Sequence, residues 1–288
     1  MSLHIDRRTF ILGTAAAAAL AACGSSGPSP ASLAVRFPDG FRADSTAVVG
    51  HGEQRFPFVI GGDDGFPLTT NNPESIDIDV LMGGELLETV TVPAGGVGQF
   101  TPYYALTFTP PAAGSYLART EFTEFDVEFT VIEREQTTLW QVGETLPGFD
   151  TPTFDDLRGV TQLCTRAGEP CDFHEITLNE ALSNGRPTAL LISTPSFCQT
   201  DVCGPSLENL ILAATDRDDI NVIHQEVYVD FQRDTNAGAF PLEVAPLLAE
   251  WELAFEPSLF VMDPDATIVG ARHFAFDAAE TQELIDLI

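Results

Sequence analysis

Five cysteines, Cys23, Cys164, Cys171, Cys198 and Cys203, carry most of the reactive chemistry in this 288-residue chain. Cys198 and Cys203 have four residues between them in the segment Thr194-Pro195-Ser196-Phe197-Cys198-Gln199-Thr200-Asp201-Val202-Cys203-Gly204-Pro205. Two thiols at such spacing can close a disulfide, exchange it with another thiol, or hold a soft metal ion. On a regular helix, residues five apart have Cα atoms about 8 to 9 Å from each other, because the rise is about 1.5 Å per residue and a turn takes about 3.6 residues. A disulfide needs roughly 4.4 to 6.8 Å. The pair therefore closes only if the segment between the cysteines is not regular helix. Pro205 suits a first helical position and biases Gly204 away from the α region, so the sequence predicts a loop over 198–204 and a helix beginning near Pro205. Amides at that helix start lower a nearby thiol pKa, and Asp201 opposes them.

The second pair, Cys164 and Cys171, brackets the turn-rich tract Thr165-Arg166-Ala167-Gly168-Glu169-Pro170. In an exported domain this reads as a structural disulfide, with His174 close behind it. No residue is assigned to a metal, and no cofactor is expected. His224 reads as a structural strand residue. Cys23 is then the odd thiol.

The elements that position these residues fall into two parts, dividing near residue 136. Over 32–134 short apolar/polar alternations recur with Gly and Pro clusters between them, clearest at 76–80 and 125–131. Further strands are expected at 32–37, 55–60, 86–92, 104–109 and 115–121. Seven strands at this spacing suggest an immunoglobulin-like sandwich, with no catalytic cluster on it. Over 140–288 strands and helices alternate. Thr177 and Glu180 form a capping box opening a short helix that ends at Asn184-Gly185-Arg186-Pro187. A doubly buried strand follows at 188–193, then the cysteine loop and a helix with Leu207, Leu210, Ile211 and Ala214 on one face. A strand at 222–229, a helix at 242–253, a hairpin of 258–263 with 267–271, and a helix capped by Asp277 with Glu280 three residues on complete the order.

That order, with Pro257 at the start of the hairpin, resembles a thioredoxin-like α/β domain over 140–288. The resemblance implies that Pro257 is cis, that Glu256 faces the sulfurs, and that Cys198, Cys203 and Pro257 form the catalytic group. The chain departs from thioredoxin in its wider cysteine spacing, in Phe197 before the first cysteine, and in lacking an aspartate on strand 188–193 and any lysine. The Cys198 to Cys203-Gly204 spacing also resembles peroxiredoxins of the bacterioferritin-comigratory type. Those place an arginine where this chain has Phe255-Glu256-Pro257. Sco-type copper chaperones are a third resemblance, but the histidine they carry before the hairpin strand is missing, since His273 lies beyond the turn. A fourth reading is a non-enzymatic surface module with permanent disulfides.

The N-terminus gives an address. Asp6-Arg7-Arg8-Thr9-Phe10-Ile11 precedes an apolar run over 11–22 that is too short to span a membrane, and resembles a twin-arginine signal. Leu20-Ala21-Ala22-Cys23 resembles a lipobox, which implies a signal peptide at 1–22, lipid on Cys23 and a flexible tether over 23–31 rich in Gly, Ser and Pro. The chain has 13 basic residues against 43 acidic ones, a net charge of -30. Such a surface repels phosphate backbones and excludes nucleic-acid binding. The reading from sequence is thus a possible thiol-disulfide oxidoreductase, lipid-anchored on the extracytoplasmic face of the cell membrane. Its partners are protein thiols or disulfides, and the lipid on Cys23 is its contact with the membrane. Cys198 attacks and Cys203 resolves.

Overall fold

A computed structural model describes residues 32–35, 47–62, 66–124, 126–198, 201–230, 243–253 and 256–288, the first four by backbone alone. Arg7, Arg8, Cys23, the signal peptide and the tether lie outside the described residues. The described residues form two sheets. No described helix is long and apolar enough to cross a membrane.

The first sheet holds β1 (Ser32–Val35), β2 (Gln54–Gly61), β3 (Ser75–Met82), β4 (Glu85–Gly95), β5 (Tyr103–Phe108), β6 (Gly114–Arg119) and β7 (Val127–Val131), in the order β1-β2-β5-β4-β3-β6-β7. The strand count is the expected one, but the strands do not fall into two separate sheets. β4 pairs with β3 from Glu85 to Pro93 and then, through Ala94 and Gly95, with β5. An 11-residue strand is long enough to change partners, so one sheet wraps around a single core. Alternation sends Ile76, Ile78 and Val80 inward and leaves Asp77 outward on β3. They meet Phe56, Phe58, Leu106, Phe108, Tyr116 and Phe129, and the Phe56 and Phe129 rings lie 4.8 Å apart. Burying each such aromatic contributes roughly 1.5 to 3 kcal/mol.

The second sheet holds β8 (Thr188–Ile192), β9 (Asn221–Gln225), β10 (Ser258–Met262) and β11 (Ile268–His273), in the order β11-β10-β8-β9. β8 runs parallel to β9 and antiparallel to β10. All five residues of β8 are buried, as its unbroken apolar run requires in a sheet covered on both faces. Leu190 and Ile192 pack under α1 (Leu178–Ser183) and α3 (Pro246–Glu250). Ala189 and Leu191 face α2 (Cys203–Ala213) and α4 (Ala278–Ile285). The chain order is that expected from the sequence: strand, cysteine loop, helix, strand, helix, hairpin, helix.

Several boundaries move. β9 stops at Gln225 and α3 spans only Pro246–Glu250. α2 begins at Cys203, two residues before the expected start at Pro205. A proline in the first helical turn removes an amide that has no intrahelical acceptor there, so Pro205 does not delay the helix. The Thr177 and Glu180 capping box is present in both directions. Asp277 caps α4 through the amides of Ala279 and Glu280, while the Glu280 side chain turns elsewhere.

Candidate functional site

The cysteine loop leaves the end of β8, and the amides of Phe197 and Cys198 both donate to the Thr194 carbonyl in a tight turn. Cys198 and Cys203 are joined by a disulfide with Cα atoms 6.0 Å apart. That distance fits because α2 begins only at Cys203. Cys198 is half-buried and Cys203 fully buried. Phe197 beside them is 47% exposed.

The Glu256-Pro257 bond is cis, as the thioredoxin resemblance implied, and Pro257 is buried at the start of β10. A carboxylate oxygen of Glu256 and both sulfurs lie within 4.8 Å of one another. Burial pushes the Glu256 carboxyl up to about 7, against the backbone N–H of Thr194, which donates to its Oε2. Glu256 thus reaches the sulfurs from the segment just ahead of β10, the strand paired with β8.

The seven-stranded sheet with its loops (the β domain) covers the other side. Val59, Phe100 and Tyr103 pack with Val202, Cys203, Phe274 and Ala275, and Cys198 lies partly buried against this cluster. Thr101 donates through its amide and its hydroxyl, each at 2.9 Å, to the Asp201 carboxylate. Asp201 is thereby engaged with the β domain. Arg55 of β2 reaches Glu280 of α4, with Nε to Oε1 at 2.6 Å and Nη2 to Oε2 at 2.8 Å, and the Tyr103 hydroxyl donates to the same carboxylate. Burial disfavours the Arg55 charge, yet Glu280 more than offsets this and raises its pKa. Burial and the Glu280 charge together push the Tyr103 phenol up.

The expected structural disulfide between Cys164 and Cys171 is not formed. Their sulfurs stand 3.8 Å apart, both thiols are free, and both are buried. Cys171 Sγ is 3.4 Å from His174 Nε2 and 3.5 Å from His224 Nδ1. His174 therefore belongs to this cluster. The two donor groups among the described residues are these four residues and the set Cys198, Cys203 and Glu256. In the second set the sulfurs are bonded to each other.

The structure brings Cys198, Cys203, Glu256 and Pro257 together. The cap from Val59, Phe100 and Tyr103, about a hundred positions away, and the approach of His224 to Cys171 have no counterpart in the sequence expectations. β9 reads Asn221-Val222-Ile223-His224-Gln225, with three polar residues in five, so its sequence does not single out His224.

No family model matches the chain, and none of the curated proteins does. Among solved structures it is similar to a thiol:disulfide interchange protein of the thioredoxin family from Chlorobium tepidum TLS, at 12% identity over 52% of this chain and 98% of that one, with a TM-score of 0.34. A disulfide isomerase described as putative, from Bacteroides thetaiotaomicron, is 16% identical over 52% of this chain and 88% of that one, TM-score 0.34. An engineered protein is 16% identical, covering 36% of this chain, with a TM-score of 0.24, and the chain spans 20% of its length. These likenesses are distant, and the strand order and site geometry are this chain's own.

Proposed function

We propose that the protein carries out thiol-disulfide exchange through Cys198 and Cys203, as a thioredoxin-like domain held outside the cytoplasm by lipid on Cys23. The observation that carries the reading is the joint placement of a half-buried Cys198, a buried Cys203 at the first position of α2, the cis Pro257 and the Glu256 carboxyl beside both sulfurs. A substrate thiolate attacks Cys198 Sγ, the sulfur that is not fully buried, and the Cys198–Cys203 bond breaks. Cys203 leaves as a thiolate and takes the proton of neutral Glu256. A second substrate thiolate then attacks the mixed disulfide and releases Cys198, so two electrons pass from the substrate dithiol to the pair. A disulfide-bearing protein partner reoxidises the pair. The exposed Phe197 ring offers an apolar contact for the substrate chain.

We read the β domain as an immunoglobulin-like sandwich whose two layers join where β4 passes from β3 to β5, serving as a cap for the exchange loop. The Tyr116 hydroxyl donates to the Ala112 carbonyl four residues upstream at 2.6 Å, the arrangement called a tyrosine corner in such domains. Sco-type copper binding needs a histidine beside the cysteine pair, and no histidine joins Cys198, Cys203 and Glu256 among the described residues. The test is exchange itself. The oxidised protein should oxidise a peptide dithiol stoichiometrically, and Cys198→Ser should abolish this. Equal activity in Cys198→Ser would remove the reading.

A further inference from the structure

We propose that Cys164, Cys171, His174 and His224 form a structural zinc(II) site, independent of the exchange reaction. Four protein donors converge within 4.8 Å of one another, and each of the four residues is exposed by 2% or less. Tetrahedral zinc has Zn–S near 2.3 Å and Zn–N near 2.0 to 2.1 Å, which sets ligand edges of about 3.8 Å between sulfurs and about 3.6 Å between sulfur and nitrogen. The sulfurs here are 3.8 Å apart, and the two sulfur-to-nitrogen edges at Cys171 are 3.4 and 3.5 Å. A disulfide brings sulfurs to about 2.05 Å, so these three edges fit a tetrahedral site and not a cystine.

Donor chemistry agrees with the geometry. His224 Nε2 stands 3.1 Å from both the Ser193 carbonyl oxygen and the Ser193 hydroxyl, and in the tautomer that donates from Nε2 to the carbonyl, the Nδ1 lone pair is turned to Cys171 Sγ. A backbone carbonyl holding the far nitrogen of a ligating imidazole is the usual outer support of a zinc site. Two thiolates and two neutral imidazoles bring the charge around zinc(II) to zero, which suits a site sealed from water. Four protein donors leave no open position, so the site is structural and has no metal-bound water to activate.

The site would tie the loop carrying Cys164, Cys171 and His174 to β9 through His224. It would also brace Thr165, whose Oγ1 accepts from the amide of Ser196 at 3.1 Å, two residues before Cys198. The metal would therefore stiffen the base of the exchange loop without touching its sulfurs.

The test uses the full chain produced in zinc-containing medium and purified without chelator. Metal analysis should give one zinc per chain. Cys164 and Cys171 should resist alkylation until a chelator removes the metal, and peptide mapping should show no disulfide between them. Cobalt(II) exchanged into the site should show the intense visible bands of tetrahedral coordination with thiolate charge transfer. The double variant Cys164→Ser/Cys171→Ser should lose the zinc, whereas Cys198→Ser/Cys203→Ser should keep it. A Cys164–Cys171 disulfide in zinc-free native protein would overturn the proposal, as would copper in place of zinc, or zinc retained by Cys164→Ser/Cys171→Ser. The alkylation, mapping and cobalt measurements are made on the unaltered chain, so misfolding of a variant leaves the proposal decided.

Discussion

The amide of Ser196 donates to Thr165 Oγ1 across 3.1 Å, and the Ser196 hydroxyl donates to the Thr165 carbonyl. Two loops that lie thirty residues apart are thus locked together, one beginning at Cys164 and the other ending at Cys198. Thr165 in turn gives its amide to Glu226, a carboxyl that burial pushes up to about 7. Thr165→Val keeps the shape and removes the acceptor for the Ser196 amide. It should cost about 1 to 2 kcal/mol, because the loop amide is left without its partner. Urea unfolding of the oxidised protein measures this, and an unchanged midpoint and slope would show that water replaces the contact.

Glu256 gives a pH-dependent prediction. Its folded pKa of about 7 lies above the ordinary 4.5, so the native state holds a proton that the unfolded chain releases between these values. The neutral acid is favourable below pH 4.5, and that stability is lost as pH rises through about 7. Glu256→Gln should therefore leave stability nearly unchanged at pH 4 and raise it by up to about 3 kcal/mol at pH 8, since each tenfold change in proton affinity is about 1.4 kcal/mol. Glutamine still accepts from the Thr194 amide. A gain of equal size at both pH values would contradict the protonation argument.

The same carboxyl should shape the reaction. With the thiolate fraction of a small attacking thiol corrected for, reduction of the Cys198–Cys203 bond should slow as pH rises through about 7, where Glu256 loses the proton it gives to Cys203. Stopped-flow measurements on Glu256→Gln should show a flat profile. A surviving inflection near 7 would assign the proton to another group.

The pair of Arg55 and Glu280 joins the β domain to the last helix, and both side chains are largely buried, at 10% and 17% exposure. Arg55→Met leaves Glu280 in a desolvated site with Arg272 at 3.3 Å as its remaining cation, and should cost about 3 kcal/mol. Arg55→Met/Glu280→Leu should recover only part of this loss, because Arg272, 3.3 Å from Glu280, then keeps only Glu283 at 3.9 Å as its partner. Calorimetric unfolding of the three proteins decides. Equal losses in the single and double variants would mean that shape, not charge, governs the contact.

What could be read from the sequence was local or periodic. The Thr177 and Glu180 capping box needs only its own turn, and the buried β8 needs only an apolar run flanked by breakers. Glu256 could be placed beside the sulfurs because it adjoins Pro257, whose role the thioredoxin resemblance supplied. The remainder depended on partners far along the chain. Glu280 looked like part of a helix cap, and its actual partner, Arg55, is 225 residues away. Cys164 and Cys171 looked like a disulfide because spacing shows two thiols and hides the two imidazoles that stand beside Cys171. His224 arrives from β9, and no spacing rule links it to Cys171.

Substitution of the two exchange cysteines should separate their roles. In the reduced protein Cys203→Ser should accumulate a mixed disulfide with a substrate through Cys198, since the resolving sulfur is gone. Cys198→Ser should not, because Cys203 is fully buried beneath the β domain. Trapping through Cys203 instead would reverse the assignment.

The reduction potential of the Cys198–Cys203 disulfide tests the exchange role most directly. Equilibration of the full chain with a graded thiol-disulfide buffer, followed by quantitative alkylation, should give a value between roughly -270 and -120 mV, the range of proteins that exchange disulfides. A value below about -300 mV would make the bond a permanent structural one and contradict the account.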